Sequence, residues 1–177
     1  HAFIYGEKLF NENDQIDKLY ETLITIISKT NNWQKLIEIN ERALKFKIID
    51  RKLYSINQSI AFYEISKIKI YSENSESISL MEKALKLREF FPPYVCLYID
   101  LLINKNKLTT AKKYLFKAWT KNPHSEYKAK IKILADKMKI SFYDLAKYVT
   151  KDNESSYESR VLLSEALIEI DKWIDAK

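Results

Sequence analysis

Protein chemistry most often begins at histidine, cysteine or converging carboxylates, and this chain is sparing with the first two. His1 and His124 are its only histidines and Cys96 is its only cysteine. A closed zinc site takes four ligands, so these three would need carboxylates beside them, and no ligand pair stands at the i,i+4 spacing of one helix face. A thiol nucleophile needs a neighbouring base, but Cys96 and His124 lie 28 residues apart, with no glycine-supported turn to present the sulfur. Cys96 therefore reads as a small buried hydrophobe, and a lone cysteine excludes an intrachain disulfide. Glu165, Glu169 and Asp171 follow the surface spacing of a helix, which suits a solvated face better than an acid/base pair. Phosphate and dinucleotide loops need several close glycines, and Gly6 is the only one present. Tyrosines at positions such as 63, 94, 98, 114, 127 and 148 could stack on bases beside the lysines, but most fall on packing stripes. Only four arginines are available for direct base readout. The expectation is a non-enzyme with no metal and no cofactor.

The elements that position these residues should be helices. Residues that tolerate positive φ are scarce, with one glycine, and the prolines are Pro92, Pro93 and Pro123, so hairpins and Rossmann-type turns fit poorly. The chain is 46% hydrophobic, enough for a sizeable core or a short array of repeats. Its net charge of +6 comes from lysine, in the Ile-, Lys-, Asn- and Tyr-rich usage of an AT-rich genome. Lys105 to Lys139 holds eleven lysines against Glu126 and Asp136. That stretch is read either as a solvated helix face or as a surface for an anionic partner. No run of 18 apolar residues exists, so none spans a bilayer. A start at His1 and a stop just past Trp173 give the chain the look of a cut piece, with room for a membrane segment outside it.

Apolar spacing is helical almost throughout. Tyr20, Leu23, Ile24 and Ile27 form one stripe, followed across Asn31-Asn32 by Trp33, Leu36, Ile37, Ala43 and Leu44. Val95, Tyr98, Ile99 and Leu102 form another, followed across Asn104 to Asn106 by Leu108, Ala111, Leu115 and Ala118. The first inward residues of the second helices are read as Ala2, Leu36, Ser77, Ala111, Phe142 and Ala176, with separations of 34, 41, 34, 31 and 34. That period is the tetratricopeptide one. Ala111, Leu115, Ala118 and Pro123 carry its small–large–small–Pro ladder. Helix pairs that cannot bury both stripes alone must stack. The fold expected is all-α, a TPR-like right-handed superhelical stack of antiparallel helix pairs. It is read as a single domain over 1–177, with repeats at 1–14 (partial), 15–49, 50–91, 92–123, 124–155 and 156–177 (partial). Trp33 and Trp173 take one repeat position at the start of the second helix, as packing wedges. A long helix is expected from about Asp50 to Tyr71, with Ser75 or Ser77 capping the next helix. Ser141 and Asp144 are read as a capping box, and the last helix pair as an open end.

The Trp33 segment through Leu36, Ala43, Lys45 and Ile48-Ile49-Asp50 resembles the HemY-type tetratricopeptide proteins of proteobacteria, especially their alphaproteobacterial branch. Ala118-Trp119 before Pro123-His124 is similar to that family's Ala-Trp…Pro-His segment. Glu158-Ser159, Leu163, Ala166-Leu167 and Trp173…Ala176 are similar to its closing pattern. Turn glycines usual in the family are missing, and Ser77 stands where alanine is usual. The resemblance implies an inner-membrane protein of haem or porphyrin metabolism, attached through an N-terminal membrane segment and without established catalysis. It also implies haem-pathway enzymes as partners, with the domain on the cytoplasmic face. It gives His124 an alternative role as an axial haem ligand, against capping or solvation.

With chemistry set aside, binding remains. In stacked pairs the first helices line the concave face. Phased to the ladder, that face would present Lys18, Glu21, Thr25, Ser28, Phe62, Ser66, Lys69, Cys96, Asp100, Ile103, Tyr127 and Ile131. Mixed charge, small polar groups and aromatics suit an extended peptide or a partner helix. The function expected is a protein–protein scaffold. The alternatives are a haem- or porphyrin-binding module and, more distantly, an anion- or nucleic-acid-binding solenoid, although no nucleic acid is expected.

Overall fold

The computed structural model describes residue 4, residues 17–70 and residues 74–169. The described residues form nine helices and no strand: α1 Asp17–Thr30, α2 Trp33–Lys45, α3 Arg51–Lys69, α4 Asn74–Leu87, α5 Pro92–Asn104, α6 Leu108–Lys121, α7 Tyr127–Met138, α8 Phe142–Thr150 and α9 Tyr157–Glu169. None of them is long and apolar enough to cross a membrane. The chain divides into two compact units, His1–Glu89 and Phe90–Lys177.

Local signals place the helix ends. The side chains of Asn32, Asp50 and Ser141 each accept a hydrogen bond from the third backbone N–H beyond them, at 3.4, 2.7 and 3.0 Å. Each satisfies one of the donors that a helix start leaves open. Pro92 and Pro93 open α5, where their missing N–H groups cost nothing. The turns reverse without glycine: Asn31, Lys47, Phe90, Asn106 and Lys139 take positive φ of 53° to 58°. One sequence expectation is corrected here. Ser77 does not cap α4, which starts at Asn74, and instead sits fully buried within it.

In the first unit, α1 packs on α2, α2 on α3 and α3 on α4. Tyr20, Leu23 and Ile27 of α1 meet Leu36, Ile39 and Ala43 of α2 and Ala61 of α3 in one cluster, with Trp33 partly buried against it. A polar network runs through this core. Asn40, with no exposed surface, accepts from the Tyr20 hydroxyl at 3.1 Å and donates to the Tyr54 carbonyl and to Gln58 Oε1 at 2.9 and 3.0 Å. Asn57 Nδ2 in turn donates to the Tyr20 hydroxyl at 2.8 Å.

In the second unit, α5 packs on α6 and α7 on α8, while α5 also contacts α7 and α6 contacts α8. First helix therefore lies against first and second against second, the arrangement of stacked hairpins. The ladder explains it. Leu36, Asn40 and Ala43 of α2 recur as Ser77, Met81 and Ala84 of α4, then as Ala111, Leu115 and Ala118 of α6, all buried. In α8 the fully buried rungs are Leu145 and Val149, each 34 residues after Ala111 and Leu115. Phe142, expected as the inward residue, is only half-buried. The expected 31-residue step was one helical turn out of phase, and the spacing is 34 there too.

Candidate functional site

Within the second unit, α7 and α9 face each other across a groove. Its floor is built by hydrogen bonds. The buried Trp119 donates from Nε1 to Ser159 Oγ at 2.8 Å, and that hydroxyl donates to Asn153 Oδ1 at 3.2 Å. Asn153 Nδ2 returns to the Trp119 carbonyl at 3.0 Å, so the end of α6, the loop and the start of α9 are fixed together. Two ion pairs cross the groove. Lys128 Nζ sits 2.8 Å from Glu165, and Lys132 pairs with Glu169 one turn further along. The Glu169 carboxylate, by accepting a hydrogen bond and by its charge, raises the Lys132 ammonium above its usual pKa.

The Lys128–Glu165 pair parts the groove into two apolar pits. The first, of about 250 Å³, is walled by His124, Ser125, Tyr157, Val161 and Leu162. The second, of about 460 Å³, is walled by Ala129, Phe142 and Ile168 with the two ion pairs. Tyr157, Val161 and Ile168 are among the large hydrophobic residues left exposed on the described surface. His124 Nδ1 accepts from the Glu126 N–H at 3.2 Å, which leaves Nε2 as the other reactive edge of the ring.

No protein-family model matches the chain, and no curated protein matches it. Among solved structures it is similar to the crystal structure of YrrB, described as "a TPR protein with an unusual peptide-binding site", at 17% identity and a TM-score of 0.49, over 99% of this chain and 87% of that one.

The twelve residues expected on a concave face fall into different environments. Glu21, Thr25 and Ser28 are exposed on α1. The Thr25 and Ser28 hydroxyls donate to carbonyls one turn back, at 2.9 and 2.8 Å. The side chain of Lys18 lies outside the described residues. Phe62 is half-buried with Lys83 Nζ 5.7 Å over its ring, and Lys69 pairs with Glu76 at 3.0 Å. Cys96 and Asp100 stand on α5 facing α7: Cys96 Sγ lies 3.6 Å from the Glu126 carbonyl, and Asp100 accepts two bonds from Lys130 at 2.8 and 2.6 Å.

Four of the twelve are corrected. Ser66, Ile103, Tyr127 and Ile131 are buried and have no face to offer a ligand. Ser66 is sealed against Ser77, Ile103 and Ile131 belong to apolar stripes, and the Tyr127 hydroxyl donates to the Phe90 carbonyl at 3.1 Å. Burial holds the Tyr127 phenol well above its usual pKa and pushes the Cys96 thiol up to about 11. A thiol so placed keeps its proton at neutral pH and is a poor nucleophile.

The sequence reading missed the α9 wall. The available signal was a pair of matched spacings, since Lys128 and Lys132 are one turn apart, as are Glu165 and Glu169. Among the described residues no cluster of His, Cys, Asp or Glu could hold a metal ion. What this groove can do chemically is take apolar side chains on either side of a charged bar.

Proposed function

We propose that the protein is a scaffold whose α7–α9 groove receives an amphipathic helix of a partner protein. The observation that carries this reading is the pair of apolar pits separated by the Lys128–Glu165 bar. Val161 and Ile168, one in each pit, are seven residues apart, or about 10.5 Å along α9. A partner helix with apolar residues at i and i+7 spans the same length, whereas an extended strand places same-face residues about 6.8 or 13.6 Å apart. The finer reading, haem-pathway enzymes as partners and attachment at the cytoplasmic face of an inner membrane, is supported by the resemblance of the Trp33 and Ala118-Trp119…Pro123-His124 segments to HemY-type proteins.

The second reading, a haem or porphyrin module, has one observation in its favour: His124 stands on the wall of the first pit with Nε2 turned away from its hydrogen bond. The first pit is small for such a ligand. Sites that bury a drug-sized ligand enclose roughly 300–1,000 Å³, and the pit offers about 250 Å³.

Photo-crosslinking in the native cell tests both readings. Probes at Val161 and at Ile168 should capture the same partner, and Val161→Asp should abolish capture from Ile168. Equal capture from a probe at Lys52, in the other unit, would overturn the groove. A saturating Soret shift on haem titration, lost in His124→Ala, would favour the second reading.

A further inference from the structure

Unit 2 distributes its charge unevenly. On α7, three of the four lysines are matched: Lys130 meets Asp100, Lys128 meets Glu165 and Lys132 meets Glu169. Among the second helices α6 differs, since it carries four lysines and no carboxylate. At the contact of α6 with α8, Phe116 and Tyr148 lie with ring centroids 5.3 Å apart. Lys112 Nζ stands 4.2 Å from the Tyr148 centroid, and Lys151 Nζ stands 4.6 Å from Phe116 and 5.4 Å from Tyr148. Neither ammonium forms an ion pair with a described residue, and neither Asp152, next to Lys151 in sequence, nor Asp144, one turn before Tyr148, engages them.

From this geometry we propose that the α6–α8 face, apart from the groove, is a docking surface for an acidic segment of a protein partner. Ring faces attract ammonium groups and hold these long side chains in place. Cations fixed beforehand lose less freedom on binding than flexible ones. A desolvating anion thus meets two positioned positive charges with no internal competitor.

The same geometry selects among anionic partners. Binding of single-stranded nucleic acid leans on open aromatic faces for stacking, and here the lysines occupy both rings. Adsorption to a membrane needs apolar side chains that enter the interface, and the exposed large hydrophobics of the described surface include none from α6 or α8. Carboxylates on a flexible chain require neither.

The test measures binding of the whole chain to a fluorescent poly-glutamate peptide at physiological salt, beside an oligouridylate RNA and vesicles containing phosphatidylserine. Lys112→Gln with Lys151→Gln should weaken peptide binding about tenfold, the effect of two exposed charge pairs near the top of their usual range. Lys105→Gln with Lys107→Gln removes equal charge elsewhere and should change it less than about twofold. Tyr148→Leu keeps the net charge but frees Lys112 and leaves Lys151 only the Phe116 ring, and should cost about threefold, with folding checked by thermal melting. Equal loss in the two double variants, tighter binding of RNA or vesicles than of peptide, or no peptide binding at all would each overturn the proposal.

Discussion

Ser66 and Ser77 exchange hydrogen bonds across α3 and α4. Each hydroxyl donates to the other residue's carbonyl oxygen, at 3.0 and 2.9 Å, with the two oxygens 2.8 Å apart and both side chains fully buried. Such reciprocity needs two backbones close together, and only a small side chain on each helix allows it. Replacing Ser77 by alanine removes one bond and should cost about 0.5–1.5 kcal/mol. Replacing it by leucine adds volume where none is free and should cost more, about 1–3 kcal/mol or above. Urea denaturation orders the two variants; leucine tolerated as well as alanine would show that the helices do not meet here.

Asn40 occupies the rung that Met81, Leu115 and Val149 fill in the other second helices, so an apolar residue has the right shape but the wrong chemistry. Asn40→Leu strands Gln58 Oε1, removes the second donor to the Tyr54 carbonyl and takes an acceptor from Tyr20. A loss of about 2–4 kcal/mol is expected. Tyr20→Phe loses the same Tyr20–Asn40 bond, so the pair should be less destabilising than the sum by about 1 kcal/mol. A double-mutant cycle reads this directly, and strict additivity would rule out the network.

Alkali should unfold the protein sooner than an average chain. Burial, the largest cause, raises the Cys96 thiol from about 9 to about 11, and also raises the phenols of Tyr20 and Tyr127. Between those two values the unfolded thiol has lost its proton and the folded one has kept it, so the folded state binds more protons and stability falls as pH rises. The urea midpoint should therefore decline from pH about 9 to about 11, and less steeply in Cys96→Ala. A flat profile in the parent would mean that the sulfur is solvated.

Much of this was legible from the sequence because helices announce themselves by periodicity. The Tyr20 and Val95 stripes, the Asn32, Asp50 and Ser141 starts and the 34-residue ladder all depend on local spacing. Phase is another matter. Phe142 is the first apolar residue after the Ser141 cap, yet Leu145 and Val149 are the fully buried rungs, and nothing local to α8 separates those choices. Four of the twelve residues expected on the binding face were out of phase for the same reason: Tyr127 and Ile131, for example, belong to the stripe that points into the core. The polar network around Asn40 was invisible, since its partners come from three helices. The α9 wall became visible only when Lys128 and Glu165, 37 residues apart, were seen to meet.

The left-handed turns have a consequence outside folding physics. Asn31, Lys47, Phe90, Asn106 and Lys139 all hold φ values that glycine adopts freely. At Lys47, Phe90 and Lys139 the Cβ costs about 1 kcal/mol or more. Glycine codons begin with two guanines, those of asparagine and lysine with two adenines and those of phenylalanine with two thymines, so no single base change connects these positions to the residue that would suit them. Each turn therefore stands two base changes from glycine, and a gene written without that restriction tests glycine at Lys47, Phe90 and Lys139 in one step.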